Sequence, residues 1–202
     1  MRRTEWLRLV GAFAAIYLIW GATYLAIAVT VETVPPVFMV AMRGAVAGGA
    51  LYVIGRLRGE APLRLKEISA AVPNAILLFG GGYVLVSWAA QHLATGVAAL
   101  LNATIPAFVV LIEWWTGRRT RPRGWVVGGL LSGLSGIALL VMGRIGCNEG
   151  VALIPAGVML AASFFWALGS VRAGKENAGT PLRQAAVQLL TSALLLLPVS
   201  AL

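Results

Sequence analysis

Apolar residues gather into seven long runs, roughly 9–28, 37–55, 70–90, 96–115, 124–143, 151–170 and 184–202, separated by short polar stretches. Each run is about 20 residues, the length at which a helix covers the ~30 Å hydrocarbon core of a bilayer. A backbone in lipid must satisfy its own hydrogen bonds, which leaves helices or closed barrels. Barrel strands alternate apolar and polar residues over about ten positions. LLNATIPAFVVLIEWW and GWVVGGLLSGLSGIALLVMG show no such alternation. The pattern predicts an all-α integral membrane protein, a polytopic helical bundle of seven spans. The first run follows Arg2, Arg3 and Arg8 as a signal peptide would. Its apolar part is longer than a signal core, however, and no clean small-residue cleavage site follows it.

Charge sets the orientation. With a cytoplasmic N-terminus, the inner stretches hold Arg2, Arg3 and Arg8, then Arg56, Arg58, Arg64 and Lys66, then Arg118, Arg119, Arg121 and Arg123, then Arg172, Lys175 and Arg183. The outer stretches hold only Arg144, and Arg43 lies within the second run. The positive-inside bias and the anionic inner leaflet favour this arrangement.

Composition agrees with the pattern. The chain is 59% hydrophobic and 11% charged, contains no aspartate, and carries a net charge of +9. A soluble domain is about 25% charged, so an ordinary soluble enzyme and a disordered chain are both excluded. A disulfide framework is excluded by the single cysteine, Cys147. The basic excess belongs to membrane topology. No basic stretch forms part of a soluble nucleic-acid reader, so the expected partner is the lipid bilayer and nucleic acid is not expected.

The first run contains IYLIWGATYLAI and the sixth LAASFFWALGSV, which align Trp20–Gly21–Ala22 with Trp166–Ala167–Leu168–Gly169 at an offset of about 146 residues. Five helices precede the second copy. An odd number per unit turns the second copy upside down, the inverted repeat of secondary transporters. The expected organisation is a five-helix repeat over 9–143 and an incomplete second repeat of two helices over 151–202. The last run, AAVQLLTSALLLLPVSAL, meets the end of the chain without a polar flank, and the expectation is a C-terminal truncation.

Three stretches in this order resemble the EamA-like branch of the drug/metabolite transporter superfamily: YLIWGATYLAIAVTVETVPPVFMVAMRGAVAGGALY, LLFGGGYVLVSWAAQHLATGVAALLNATIPAFVVLIEWWTGRR and GWVVGGLLSGLSGIALLVMG, with the second repeat restarting at LAASFFWALGSVRAGK. The resemblance implies ten helices in two inverted five-helix repeats, both termini cytoplasmic, in the cell membrane. It also implies carriage, often export, of small metabolites. It supplies no catalytic constellation to carry over.

Arg43 sits about six residues into the second run, roughly 9 Å from its outer end. A charge costs at least ~2.5 kcal/mol at the bilayer centre and less near the ends of a span, so Arg43 should face the bundle interior or snorkel outward. It is a candidate contact for an anionic or carboxylate-bearing substrate, or a structural snorkel. Its rough repeat counterpart, Gln188, stays polar without charge. Glu113, near the inner end of the fourth run, is a candidate for proton coupling or a partner for Arg118. Trp20, Tyr24, Tyr83, Trp88, Asn102 and Thr104 are polar or aromatic-polar groups within apolar runs, each needing a partner in lipid. They are candidates to line a substrate cavity, and helix packing is the alternative reading. Trp114, Trp115 and Trp125 read as interface anchors.

Pro73 and Pro106 are expected to kink their helices. Gly44 and Gly48, and the spaced glycines of the fifth run, read as close-packing devices. Gly80–Gly81–Gly82 reads as a site of local unwinding. Glu32, Glu60, Glu67 and Glu149 read as loop residues. His92 has no cysteine or aspartate near it, so no metal or cofactor is expected, and no hydrolytic triad or carboxylate pair assembles. The leading function is a secondary carrier of a small-molecule substrate by alternating access. The alternatives are a non-transporting fragment and a short protein that acts as a homodimer. An integral-membrane enzyme is disfavoured for want of clustered acids or histidines.

Overall fold

The computed structural model describes residues 3–117, 121–145, 152–173 and 179–200. All regular structure among them is helical: α1 (Arg3–Thr30), α2 (Pro36–Leu57), α3 (Leu65–Ala75), a π-helical stretch (Ile76–Val84), α4 (Leu85–Ala90), α5 (Thr95–Asn102), α6 (Ile105–Trp115), α7 (Gly124–Ile145), α8 (Leu153–Ala173) and α9 (Pro181–Ser200). Among the described residues, six helical segments are long and apolar enough to cross a membrane: Glu5–Thr30, Pro36–Leu57, Leu65–Ala90, Thr95–Trp115, Leu153–Ala173 and Pro181–Ser200. Within α7, Gly124–Leu140 forms a shorter apolar helix. The molecule is therefore a polytopic bundle. Cys147 and Glu149 lie outside the described residues, as does Arg118, the expected partner of Glu113.

Helix ends follow local chemistry. Pro36 opens α2, where its missing N–H is no loss. At the other end Gly59 takes φ +85. There the Glu60 N–H reaches the Gly55 carbonyl at 3.0 Å and the Gly59 N–H reaches that of Arg56 at 3.1 Å, the pairing that satisfies a helix's last carbonyls. The third span begins five residues before the apolar run, at Leu65. Glu67, expected in a loop, lies in the first turn of α3 and accepts the Arg64 backbone N–H at 2.7 Å, one half of a capping box.

Two spans are irregular. Pro73 is accommodated inside α3, and the ladder widens to π geometry immediately afterwards, over the segment containing Gly80–Gly81–Gly82. The fourth span breaks at Ala103–Thr104 into α5 and α6. Pro106 lacks the N–H that would have bonded the Asn102 carbonyl, and Thr104 closes a tighter turn onto Leu101.

The centre of the bundle is α8, which packs on the π-helical stretch, α4, α5 and α6. Tyr24, Ile27, Val86, Ala89, Leu101 and Met159 belong to one buried cluster that joins the C-terminal half of α1 to α4, α5 and α8. The most extensive helix pair is α2 with α9. A Cβ built on Gly44 would lie 2.8 Å from Ser192 Oγ, and one on Gly48 would lie 2.9 Å from Leu189 Cβ. One on Gly55 would lie 3.1 Å from Leu182. The partner number falls as the α2 number rises, so the two helices run antiparallel, with backbones brought close by glycine. In contrast α1 turns most of its apolar surface outward, with Leu7, Tyr17, Leu18 and Ile19 about 70% exposed.

Candidate functional site

A cavity of about 400 Å³ lies among α1, α2, the π-helical stretch, α5 and α8, with Trp20, Tyr24, Arg43, Tyr83, Asn102 and Trp166 on its wall. Each sits well inside its span. Arg43 is the eighth residue of α2, about 10 Å from the start of that helix at 1.5 Å per residue.

Arg43 projects from α2 onto the π-helical stretch. Its Nη2 donates to the Tyr83 hydroxyl at 3.0 Å, and its Cζ lies 4.5 Å from the Tyr83 ring centroid, within cation–π range. Tyr83 is stacked on Phe79 at 5.8 Å and meets Trp166 of α8 edge-on at 4.8 Å. The wide helical turn holds the phenol in this position. A Cβ on Gly81 would lie 2.7 Å from Phe165 Cγ, and one on Gly82 would lie 2.9 Å from Trp166. The glycines let α8 approach closely enough for Trp166 to reach Tyr83.

Asn102 ties three helices together. Its Nδ2 donates to the Tyr24 hydroxyl of α1, and its Oδ1 accepts from the Ser163 hydroxyl of α8 at 2.8 Å. Thr23, also on the wall, donates its hydroxyl to the Ile19 carbonyl at 2.7 Å. The polar side chains of α1 and α5 are thus engaged within the protein. Among the described residues, no carboxylate lines the cavity.

The structure brings together Trp20, Tyr24, Arg43, Tyr83 and Asn102 of the residues singled out by sequence. The others lie elsewhere. Trp88 meets His92 at 4.6 Å, and its carbonyl lies 3.0 Å from His92 Nδ1. Thr104 is buried and donates to the Leu101 carbonyl at 2.7 Å. Glu113, in the last turns of α6, does not line the cavity. Gln188 borders a second hollow of about 460 Å³ between α3 and α9, with Arg64, Lys66, Glu67 and Arg183. Trp166 is the residue missed, and its alignment with Trp20 in the repeat was the available signal.

At the end of the bundle carrying that second hollow, Arg183 of α9 forms a bidentate pair with Glu67 of α3, Nε to Oε1 at 2.9 Å and Nη2 to Oε2 at 2.8 Å. Its remaining N–H groups reach the Ala61 and Pro62 carbonyls. Thr180 donates to Glu60. The connection between α2 and α3 is thereby fastened to the start of α9. No group of three or more histidine, cysteine or acidic residues suited to a metal occurs among the described residues.

A helical membrane bundle with an aromatic, cationic, ligand-sized hollow beside α1 has the concave, mostly apolar kind of surface that small organic solutes occupy. Comparison with known proteins gives the family. The EamA-like transporter family profile matches residues 8–142, and the chain belongs to that family, a family of transporters and not of catalysts. It is 34% identical over 203 residues to the uncharacterized inner membrane transporter YedA of Escherichia coli, covering 99% of this chain and 64% of that protein. It is 31% identical to protein PagO of Salmonella typhimurium over 109 residues, covering 49% of this chain and 33% of PagO. It is 26% identical to the uncharacterized transporter YoaV of Bacillus subtilis over 159 residues, 78% of this chain and 54% of YoaV. The chain therefore spans a little under two thirds of the length of the Escherichia coli relative. No solved structure matches it.

Proposed function

We propose that this chain supplies the substrate cavity of a secondary transporter that moves small organic metabolites outward by alternating access. The observation that carries the reading is the cavity itself. It lies at membrane depth, and its wall joins Arg43 and Tyr83 of the first five spans to Trp166 of the helix that follows them. A solute bound there touches both units whose relative motion defines alternating access.

The repeat organisation belongs to the same reading: a first unit over 9–143 and the start of an inverted second unit over 151–202. Two features support it. The repeat-related tryptophans Trp20 and Trp166 share one cavity. The repeat-related helices α2 and α9 cross antiparallel around Gly44, Gly48, Leu189 and Ser192, as equivalent helices do about a two-fold axis in the membrane plane. Basic residues gathered at one end of the spans support a cytoplasmic N-terminus.

The test is efflux of candidate metabolites from cells expressing the gene, with Arg43→Ala as the variant. The expected result is a loss of at least about tenfold in rate at unchanged membrane expression, the equivalent of ~1.4 kcal/mol of lost substrate interaction. Undiminished efflux by Arg43→Ala sinks the assignment of this cavity.

A further inference from the structure

The hydrogen-bonding inventory of the cavity specifies more than that a solute binds. Its polar side chains divide into those already engaged and those with capacity left. Asn102 uses its amide to hold Tyr24 and its carbonyl to receive Ser163. Thr23 gives its proton to Ile19. Among what remains, the only charged capacity on the described wall is cationic. Arg43 has five N–H groups, of which one goes to Tyr83, and Trp166 carries an indole N–H, while the indole of Trp20 is hydrogen-bonded to Tyr24. Acceptor capacity is neutral: the Thr23 hydroxyl oxygen and the second lone pair of the Asn102 carbonyl remain, and neither carries a charge. The two phenol oxygens on the wall, of Tyr24 and Tyr83, each already accept a hydrogen bond.

The charge count points the same way. Arg43 places one positive charge in the cavity, and no carboxylate among the described residues lines it. In a medium of low dielectric an unmatched charge is costly and a single opposite charge is strongly favoured. A second cation is disfavoured by the same arithmetic, and one aromatic face, that of Tyr83, is already occupied by the guanidinium. The remaining wall is mostly apolar, formed by the other aromatic rings with Ile27 and Val86.

We propose that the cavity takes a monoanionic carboxylate borne on a flat apolar body and lacking an ammonium group, with Arg43 holding the carboxylate and Trp20, Tyr24, Tyr83 and Trp166 enclosing the body. This rests on the reading of the cavity as the solute site. It adds a discrimination that such a reading does not contain. The site selects against the zwitterion of the same shape, because an ammonium brings a second positive charge to a wall that already holds Arg43 and, among the described residues, offers no carboxylate to offset it.

Three probes of one shape separate the alternatives: 3-phenylpropanoate, phenylalanine and 2-phenylethylamine, titrated calorimetrically at pH 7 into the purified 202-residue chain in phosphatidylcholine nanodiscs. The expected order is 3-phenylpropanoate at least about tenfold tighter than phenylalanine, with no measurable heat from 2-phenylethylamine. Arg43→Gln weakens 3-phenylpropanoate by about tenfold or more, and Arg43→Lys falls between, since a point charge does not reproduce the guanidinium fork. Equal or tighter binding of phenylalanine or 2-phenylethylamine overturns the proposal. So does an absence of 3-phenylpropanoate binding at millimolar concentration, or an Arg43→Gln chain of native helicity that binds it unchanged. The probe series on the unaltered chain decides the matter even where a variant fails to fold. Binding is read without transport, so a chain that binds the anion and moves nothing refutes the carrier reading and leaves this one standing.

Discussion

At the scale of single residues, the amide of Asn102 carries an unusual share of the tertiary structure. It bridges α1 and α8 through Tyr24 and Ser163. Asn102→Ala removes both inter-helix bonds, leaving Ser163 bonded only within α8 to the Met159 carbonyl and Tyr24 only within α1 to Trp20. The expected loss is about 1–3 kcal/mol, read as a lowered thermal midpoint in detergent. Arg183 is a second such residue. Its guanidinium meets Glu67 with both forks and spans to the Ala61 and Pro62 carbonyls. The side chains remain 12% and 24% exposed, so solvent screens part of the attraction. Arg183→Lys keeps the charge and loses the fork, with an expected cost of about 1–2 kcal/mol in the same assay. The sequence singles out Asn102 because a carboxamide in an apolar run must find a partner. It does not name the partners, which are 78 and 61 positions away. Arg183 and Glu67 carry even less signal, because charged residues at the ends of spans are ordinary.

At the scale of elements, the pairing of α2 with α9 is built on absent side chains. Gly48 lies where a Cβ would meet both Leu189 Cβ and the Leu190 backbone nitrogen at 2.9 Å. Backbone cannot yield as a flexible side chain can. Gly48→Leu is therefore expected to separate the helices and cost about 1–3 kcal/mol or more, measured as a lower thermal midpoint than that of Gly49→Leu, where an added Cβ meets nothing within 4 Å. Equal midpoints for the two variants contradict the close crossing. The span positions were legible because length and hydropathy are fixed by the bilayer. The start of the third span was not. Its cap uses Arg64 at a position where serine, threonine or aspartate would have announced a helix. The break in the fourth span was half legible: Pro106 marked it, while the irregularity of the third span settled on the segment containing the glycine triplet, just beyond Pro73 itself.

At the scale of the whole molecule, orientation is the property most readily checked. With Cys147 replaced by serine, a cysteine at Glu32 is expected to react with an impermeant maleimide added to intact cells. A cysteine at Arg58 is expected to react only after permeabilisation. Both side-chain positions are exposed, so a reversed labelling pattern means a reversed topology. The composition was sufficient to identify lipid as the solvent. It was silent on which polar faces meet, because every face of a lipid-immersed helix is apolar and the usual contrast between inner and outer surface is missing. The cavity was legible through Arg43 and the polar aromatic groups Trp20, Tyr24 and Tyr83, while Trp166 showed in the sequence only as a mark of the repeat. Trp88, Thr104 and Gln188 resemble its other members in residue type alone.

The divided fourth span has a mechanical corollary. A helix resists flexure through its ladder of hydrogen bonds, and stiffness falls wherever rungs are absent. Pro106 leaves the Asn102 carbonyl without its rung, and the tight turn at Ala103–Thr104 shortens the next. The point of greatest compliance in that span therefore adjoins a residue of the cavity wall. Flexure of α6 against α5 changes the shape of the cavity with little further loss of backbone bonding, and a filled cavity that resists deformation stiffens the span in return.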